Sequence, residues 1–494
     1  MHQDSPAASG HIPSLILSDL AKELKDEDCQ ETRDIQACGP AVLGIVSVCV
    51  DMLLQYGVTA EAISHNRADM SMVILKLKTL ETLSHEMINT IPFNFVPKHW
   101  LRLYTDISLI RVIHDLVTGP GEGTQEEVEV EGFWMESIRR LDKAIIVAGA
   151  IGNRRKKWVL DLIKITQTKL SLSPLKGDDV QESKRRAKRF KFEEPPLDTS
   201  LLYAPNPIPV LEEPPSIEEY LQNHLNHPFI LRGYLRGTSS SPPWPACDRW
   251  SSAEYLIDTV GRGRVIPVEV GKAYDDINWT QRIVPFTGFL HRAGFRMDQI
   301  DDERRDAGPG PGSPLYLAQY ALFDQFPELE KDMCFPDYVW SNPPPPDESS
   351  SYTSPPNDDG LIVNVWVGSG NSEIISPAHT DPYYNCYAQV LGRKRVWLAP
   401  PSCGPHMHAY GEKTEVGDGL ADQYMTNTSK VPILKPIDDF KRLESTYPEF
   451  FDHVWPRSLE ALLEPGDMMV MPPGWWHAMR AEGTEPAWSV SMWY

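Results

Sequence analysis

The sequence has no Cys-x-x-Cys pair, and its seven cysteines (Cys29, Cys38, Cys49, Cys247, Cys334, Cys386 and Cys403) are odd in number and scattered. That excludes a disulfide framework and points to reduced thiols inside a cell. Long hydrophobic runs are also missing. The most apolar stretch, AVLGIVSVCVDMLL from Ala41 to Leu54, is too short to span a bilayer and carries Asp51, so it reads as a buried helix. The opening residues MHQDSPAASGHIPS show neither the basic start nor the apolar core of a secretory signal. A soluble protein of the nucleus and/or cytoplasm, with no membrane attachment, is the expectation. Positive charge is scarce: 47 Lys and Arg stand against 69 Asp and Glu, a formal net charge of −22. That balance argues against direct nucleic-acid binding and leaves a basic partner open.

With 494 residues and 41% apolar content, the chain exceeds one hydrophobic core and is expected to form two domains. Residues 1–175 read as a helical domain for scaffolding or partner binding. Val42, Ile45, Val46, Cys49 and Leu53 recur at helical spacing, and HWLRLYTDISLIRVIHDLV, FWMESIRRLDKAIIVAGAIG and KKWVLDLIKITQTKL repeat the theme around an acidic loop, GPGEGTQEEVEVE. Residues 176–206 read as a basic and proline-rich linker, whose KRRAKRFK run (Lys184 to Lys191) also matches a nuclear-import cluster. From residue 207 to 494 short β-type runs alternate with Gly and Pro, as in a sandwich or barrel of jelly-roll type. DAGPGPGSP, NPPPPDESSSYTSPPNDDG and the stretch from Gly404 to Gln423 read as loops.

Within that half, SPAHTDPYYNCYAQVLGRKRVWLAPP places His379 and Asp381 two residues apart, on one face if the segment is a strand. Either a metal ion occupies their common point, or the pair is incidental. Two histidines and one carboxylate commonly hold a metal with open positions for oxygen chemistry, and PPGWWHAMRA offers His477 as the third ligand. His406 and His408 form a rival pair in a Gly/Pro-rich stretch and read as surface histidines. Lys394 follows a Gly392 turn, on a strand expected to pair antiparallel with YNCYAQVL. If it points inward, Arg393 and Arg395 point outward into solvent, and Lys394 needs an anion. The far carboxylate of a dicarboxylate cosubstrate would supply one.

SPAHTDPYYNCYAQVLGRKRVWL and EPGDMMVMPPGWWHAMRA together resemble the JmjC branch of iron(II)/2-oxoglutarate oxygenases, over roughly the whole chain after Pro207. PVEVGKAYDDINW and YLAQYALFDQFPEL are similar to the arginyl-hydroxylase members of that branch, which also carry a helical N-terminal half. The resemblance implies an α+β multidomain protein, all-α first and a double-stranded β-helix (jelly-roll, cupin-like) after it. It implies Fe(II) on His379, Asp381 and His477, with 2-oxoglutarate and O2 as cosubstrates. Lys394 would grip the distal carboxylate, Tyr316, Ser376 and Asn385 would add hydrogen bonds, and Glu269 and Trp366 would belong to the substrate pocket. Each has a plainer reading: Trp366 a core aromatic, Tyr316 a helix-face core residue, Ser376 and Asn385 turn formers, Glu269 an exposed strand residue. Aromatics in HTDPYYN and PPGWWHA depart from the family pattern and bear on substrate choice. Three functions follow. The first is hydroxylation of an arginine side chain in a basic protein or peptide, such as a histone or another nuclear protein. The second is demethylation of N-methyl-lysine in histones, and the third is a catalytically silent jelly-roll scaffold.

Overall fold

Aliphatic residues recurring every three to four positions make the first half helical. The computed structural model describes residues 11–26, 30–56, 67–92, 95–120, 127–171, 200–239, 241–271, 279–296, 314–346, 352, 354–371, 374–411 and 426–494. The helices of the first half, among the described residues, are α1 (Ile12–Lys25), α2 (Gln30–Gln36), α3 (Pro40–Tyr56), α4 (Arg67–Asn89), α5 (Lys98–Thr118), α6 (Glu127–Ala148) and α7 (Arg155–Ser171). α6 begins inside the stretch expected to be an acidic loop. Glu127 and Glu129 occupy its first turn, where carboxylates complement the helix dipole. The Lys184–Lys191 run lies outside the described residues.

The chain divides into two compact units, one comprising Met1–Glu182 with Gly261–Ile266, the other Ser183–Val260 with Pro267–Tyr494. In the first, every residue of α5 from Arg102 to Asp115 is buried. A helix covered on all faces must pair its charges, because an unpaired buried ion costs several kcal/mol. Asp106 accepts from Arg102 and Arg155, each at 3.0 Å, and Arg155 also pairs with Glu23. About two and a half turns along, Asp115 accepts from Ser137 at 3.0 Å and from Arg140 at 3.4 Å. Leu103, Ile107, Ile110 and Ile113 fill the remaining surface of α5 against Val73, Leu77, Ile138, Leu141 and Leu162.

The strands are β1 (Asn206–Pro207), β2 (Val210–Leu211), β3 (Phe229–Leu231), β4 (Val265–Val270), β5 (Thr280–Pro285), β6 (Leu315–Tyr320), β7 (Ile362–Gly368) and β8 (Ile375–His379), then β9 (Asn385–Leu391), β10 (Arg393–Ala399), β11 (Leu459–Leu463), β12 (Met468–Met471), β13 (Trp476–Glu482) and β14 (Ala487–Trp493). Among the described residues they form a sheet of order β1-β11-β10-β13-β8 and another of order β2-β3-β12-β9-β14-β7-β6-β4-β5, a double-stranded β-helix as the strand pattern predicts. Alternate residues of β10 serve two cores. Val396 and Leu398 pack with Tyr387, Met469 and Met471 of the facing layer and with Met479 of the neighbouring β13. Trp397 and Ala399 pack behind the sheet with Cys403, Met407, Ile433 and Phe450.

One local expectation is overturned. β9 and β10 do not pair with each other: β9 lies between β12 and β14, and β10 between β11 and β13. The chain crosses from one sheet to the other at Gly392, whose φ of 64° is left-handed. A Cβ there would stand 2.5 Å from the Pro486 carbonyl oxygen and 2.9 Å from the Ala487 Cα. Both neighbours are backbone, so the clash has no flexible end to yield. Gly392→Ala should therefore destabilise the β-unit by about 2 kcal/mol or more, read as an earlier midpoint in urea unfolding followed by tryptophan fluorescence. An unchanged midpoint would show that this corner relaxes freely.

Candidate active site

β8 delivers Ser376 and His379, Asp381 follows just beyond its end, and β13 delivers His477. The two histidines are direct partners in the antiparallel β8–β13 ladder. Residues remote in sequence thus become cross-strand neighbours, with ring centroids 4.2 Å apart. His379 Nε2 lies 4.0 Å and His477 Nε2 3.5 Å from the Asp381 carboxylate oxygens. One donor atom from each residue falls within 4.8 Å of the other two. The backbone sets both tautomers: His379 Nδ1 is 2.8 Å from the Pro377 carbonyl and His477 Nδ1 3.1 Å from the Trp475 carbonyl. A carbonyl only accepts, so each Nδ1 carries its hydrogen and each Nε2 turns a lone pair toward Asp381. Burial, reinforced by the neighbouring His379, pushes His477 down to about 4, so it stays neutral at physiological pH. Two bare nitrogens and a carboxylate converging in this way fit a divalent cation with open positions.

Among the described residues no other such group of three forms. His406 and His408 are half-buried rather than free on a surface loop. His406 stacks on His453 at 4.3 Å and faces Glu449, whereas His408 packs against Tyr447. The strand end at the triad is held by a segment that sequence reasoning missed. Thr380 N–H donates to Asn427 O, Asn427 Nδ2 to Thr380 O, and Ser429 N–H to Ala378 O.

A cavity of about 400 Å³ opens onto His379 and Asp381 of the triad; His477 lies buried behind them and does not line it. Glu269, Tyr316, Trp366 and Ser376 line it together with His379 and Asp381, and so do the unanticipated Gln319, Asn427 and Thr428. Tyr316 stands on β6, not on a helix face, opposite Glu269 in the β4–β6 ladder. Gln319 sits at a bulge in β6 with φ of 45°, the kind of irregularity that re-aims a side chain beside a site. Burial raises the Glu269 carboxyl above its ordinary range, an effect the Trp279 indole opposes. Trp366 is half-buried, its indole N–H donating to Ser491 Oγ at 3.1 Å and its ring 6.3 Å from that of Tyr316.

Asn385 does not line the cavity. It is buried on β9 with its Oδ1 unpartnered, which leaves an acceptor waiting for a donor. Lys394 is buried too, donating to Tyr316 Oη at 3.1 Å and Tyr387 Oη at 2.8 Å. No carboxylate among the described residues pairs with it, and desolvation pushes it down to about 7. Its neighbours on the strand differ from the solvated pair expected. Arg393 is buried, and Arg395 is held by Glu482 at 2.5 Å and Glu460 at 2.8 Å, because the back of this sheet is covered as well.

A family described as a cupin-like domain matches residues 217–494. Among curated proteins, lysine-specific demethylase JMJ30 of Arabidopsis thaliana is 32% identical over 54% of this chain and 52% of its own length. Jumonji C domain-containing protein 5 of Drosophila melanogaster is 30% identical over 58% and 59%. The chain therefore spans little more than half the length of these two relatives. Lysine-specific demethylase 8 of Danio rerio is 28% identical over 87% of this chain and 89% of its own length.

Two outcomes follow from this geometry. His379→Ala or Asp381→Ala should abolish Mn(II) binding in calorimetry while leaving the circular dichroism spectrum unchanged, since ligands of an open site serve chemistry more than folding. Binding retained in both would exclude this triad as the metal site. Lys394 holds its proton to about 7 in the folded chain against 10.5 ordinarily. Between those values the unfolded chain binds more protons, so the contribution of Lys394 to stability rises with pH through that window and is level below it. Lys394→Met should flatten the rise in urea unfolding of metal-free protein. A rise kept in the variant would assign it to another group.

Proposed function

The chain belongs to the family of cupin-like domains, in its JmjC branch, and from that membership we propose that it is an Fe(II)- and 2-oxoglutarate-dependent oxygenase that hydroxylates an arginine side chain in a basic protein segment. The observation that carries this reading is the convergence of two histidine Nε2 atoms and one carboxylate next to a cavity that His379 and Asp381 line, near a buried lysine that pairs with no carboxylate among the described residues. His379, Asp381 and His477 would hold the metal. Lys394 and Tyr316 would take the distal carboxylate of the cosubstrate, and Ser376, which lines the cavity, would add a hydrogen bond. When bound, the metal and cosubstrate would couple O2 reduction and decarboxylation to succinate with insertion of one oxygen atom into a substrate C–H bond.

The remaining walls support arginine. A guanidinium is planar, pairs with carboxylates in forks and stacks on aromatic faces. Glu269 and Trp366 offer one carboxylate and one ring on the same cavity. A cation beside Glu269 would also relieve the burial that disfavours its ionisation. The acidic chain, with a net charge of −22, suits a basic segment such as those of histones and other nuclear proteins. Demethylation of N-methyl-lysine is the second reading, and the names of the Arabidopsis and Danio relatives support it.

The test is mass spectrometry of arginine and trimethyl-lysine peptides treated with the iron-loaded protein, with succinate release measured beside it. Gain of one oxygen on arginine supports the proposal, and loss of methyl groups would replace it with demethylation. Absence of iron-dependent succinate release would leave a scaffold. Glu269→Ala should lower arginine hydroxylation at least about tenfold, more than it weakens 2-oxoglutarate binding. Unchanged peptide oxidation would remove Glu269 from the substrate contact.

A further inference from the structure

Of the three ligand residues, Asp381 is the least secured by secondary structure. His379 and His477 face each other in the β8–β13 ladder, and each ring is fixed by its own contact to a backbone carbonyl. Asp381 lies past the end of β8, and its carboxylate faces the two histidine nitrogens. Its aim is therefore set by the backbone that carries it. That backbone is pinned at four successive peptides. Ser429 N–H donates to the Ala378 carbonyl at 2.8 Å, and Thr380 N–H donates to the Asn427 carbonyl at 3.1 Å. The Thr380 carbonyl accepts from Asn427 Nδ2 at 2.9 Å. The Asp381 carbonyl accepts from Gly474 N–H at 2.9 Å, three residues ahead of His477. Three of these contacts join backbone to backbone, which residues other than proline supply whatever their side chain. The contact to the Thr380 carbonyl needs the asparagine itself.

Resting on the metal reading above, we infer that Asn427 is a positioning residue for the metal ligand Asp381, holding with its own carbonyl and amide both peptides that run from His379 to Asp381. The Thr380–Asp381 peptide is the last rigid plane before the ligand's Cα, so its tilt sets where the carboxylate points. A carbonyl only accepts, so the Asn427 amide turns its nitrogen toward Thr380. The segment that carries Asn427 is anchored on both sides. Thr428 bridges to His379 and Ser429 to Ala409. Tyr410 N–H donates to the Thr428 carbonyl at 2.9 Å and Lys430 N–H to the His408 carbonyl at 3.0 Å. Thr428 and Ser429 are buried, whereas Asn427 is exposed and lines the cavity with His379 and Asp381. Its side chain is therefore outside the core, and the fold does not depend on it. Groups that orient metal ligands are worth about 10- to 100-fold in metal affinity. Water reaches this one, which places its effect at the low end of that range.

The experiment is calorimetric titration of the metal-free full chain with Mn(II) alone, with the paramagnetic resonance spectrum of the bound ion recorded beside it. Asn427→Ala should bind Mn(II) about tenfold more weakly than the wild type. Its resonance lines should broaden, because a loosened Asp381 spreads the ligand geometries around the ion. Asn427→Asp separates positioning from charge. Aspartate has the same shape and adds a negative charge, which by attraction alone strengthens cation binding, yet it has no hydrogen for the Thr380 carbonyl. It should therefore also bind Mn(II) more weakly than the wild type. Circular dichroism and melting temperature of both metal-free variants should match the wild type, since Asn427 is exposed. Affinity at or above the wild-type value in either variant would overturn the inference. So would weaker binding with unbroadened lines, which a loss of stability alone produces. If the wild type itself binds no Mn(II), the metal reading falls and takes this inference with it.

Discussion

The pairing of His379 with His477 across β8 and β13 is the constraint on which the site depends. A one-residue slip in a strand turns every side chain to the opposite face, so the ligand set exists only in one register. What holds that register is not the histidines but the apolar residues around them. On β13, Trp476 and Ala478 belong to the core behind the sheet, whereas Met479, on the same face as His477, belongs to the core between the sheets. Sliding β13 by one residue would exchange these two cores along the strand. The ligand geometry is a by-product of where tryptophan and methionine must go.

The same alternation places Lys394. Val396 and Leu398 occupy the inner core and Trp397 and Ala399 the outer, so the even-numbered face of β10 points inward and carries Lys394 with it. The odd face carries Arg393 and Arg395, and there the neighbouring strands supply Glu460 and Glu482. Three consecutive basic residues thus meet two electrostatic environments. Arg395 is neutralised by Glu460 and Glu482, while among the described residues Lys394 is offered phenol oxygens and no carboxylate.

Legibility followed the range of the interaction. Period-two alternation inside one strand was readable, which is why the inward Lys394 and the pairing of His379 with Asp381 could be anticipated, although Asp381 proves to lie just past the strand end. Tyr387 was readable by the same rule, two residues beyond Asn385 on one face, but an aromatic in a strand carries no mark that separates a lysine's hydrogen-bond partner from a core ring. The β9–β10 crossing was not readable. A glycine between two β-type runs looks the same in a hairpin as in a corner between sheets, and the difference is set by partners far away in the sequence. α1 and α2 went unread because nothing within their short spans distinguishes a docking helix from a polar lead-in, even though Ile16, Leu17 and Leu20 are buried. The exposed loops expected around His406 and His408 proved half-buried for a related reason, since their cover comes from Tyr447 and His453.

Charge balance joins the metal, cosubstrate and substrate readings into one argument. In a dry cavity, net charge is costly and an assembled site tends toward neutrality. With a divalent metal and a dicarboxylate in place, the metal and Lys394 together balance Asp381 and the two carboxylates of the ligand. Among the described residues Glu269 then remains as the carboxylate on the cavity wall without an opposite charge, consistent with the burial that holds its proton more tightly than usual. A cationic side chain entering the cavity would complete the balance, which a neutral residue would not. Between the two cations that meet this condition, shape decides. Glu269 and Trp366 line the same cavity, and a planar guanidinium pairs with carboxylates and stacks on rings, whereas of the methylated lysines the trimethylated form alone has no hydrogen to donate to the carboxylate. On the proposed reading, charge calls for a cation, and the carboxylate and ring that line the cavity are the features that support arginine.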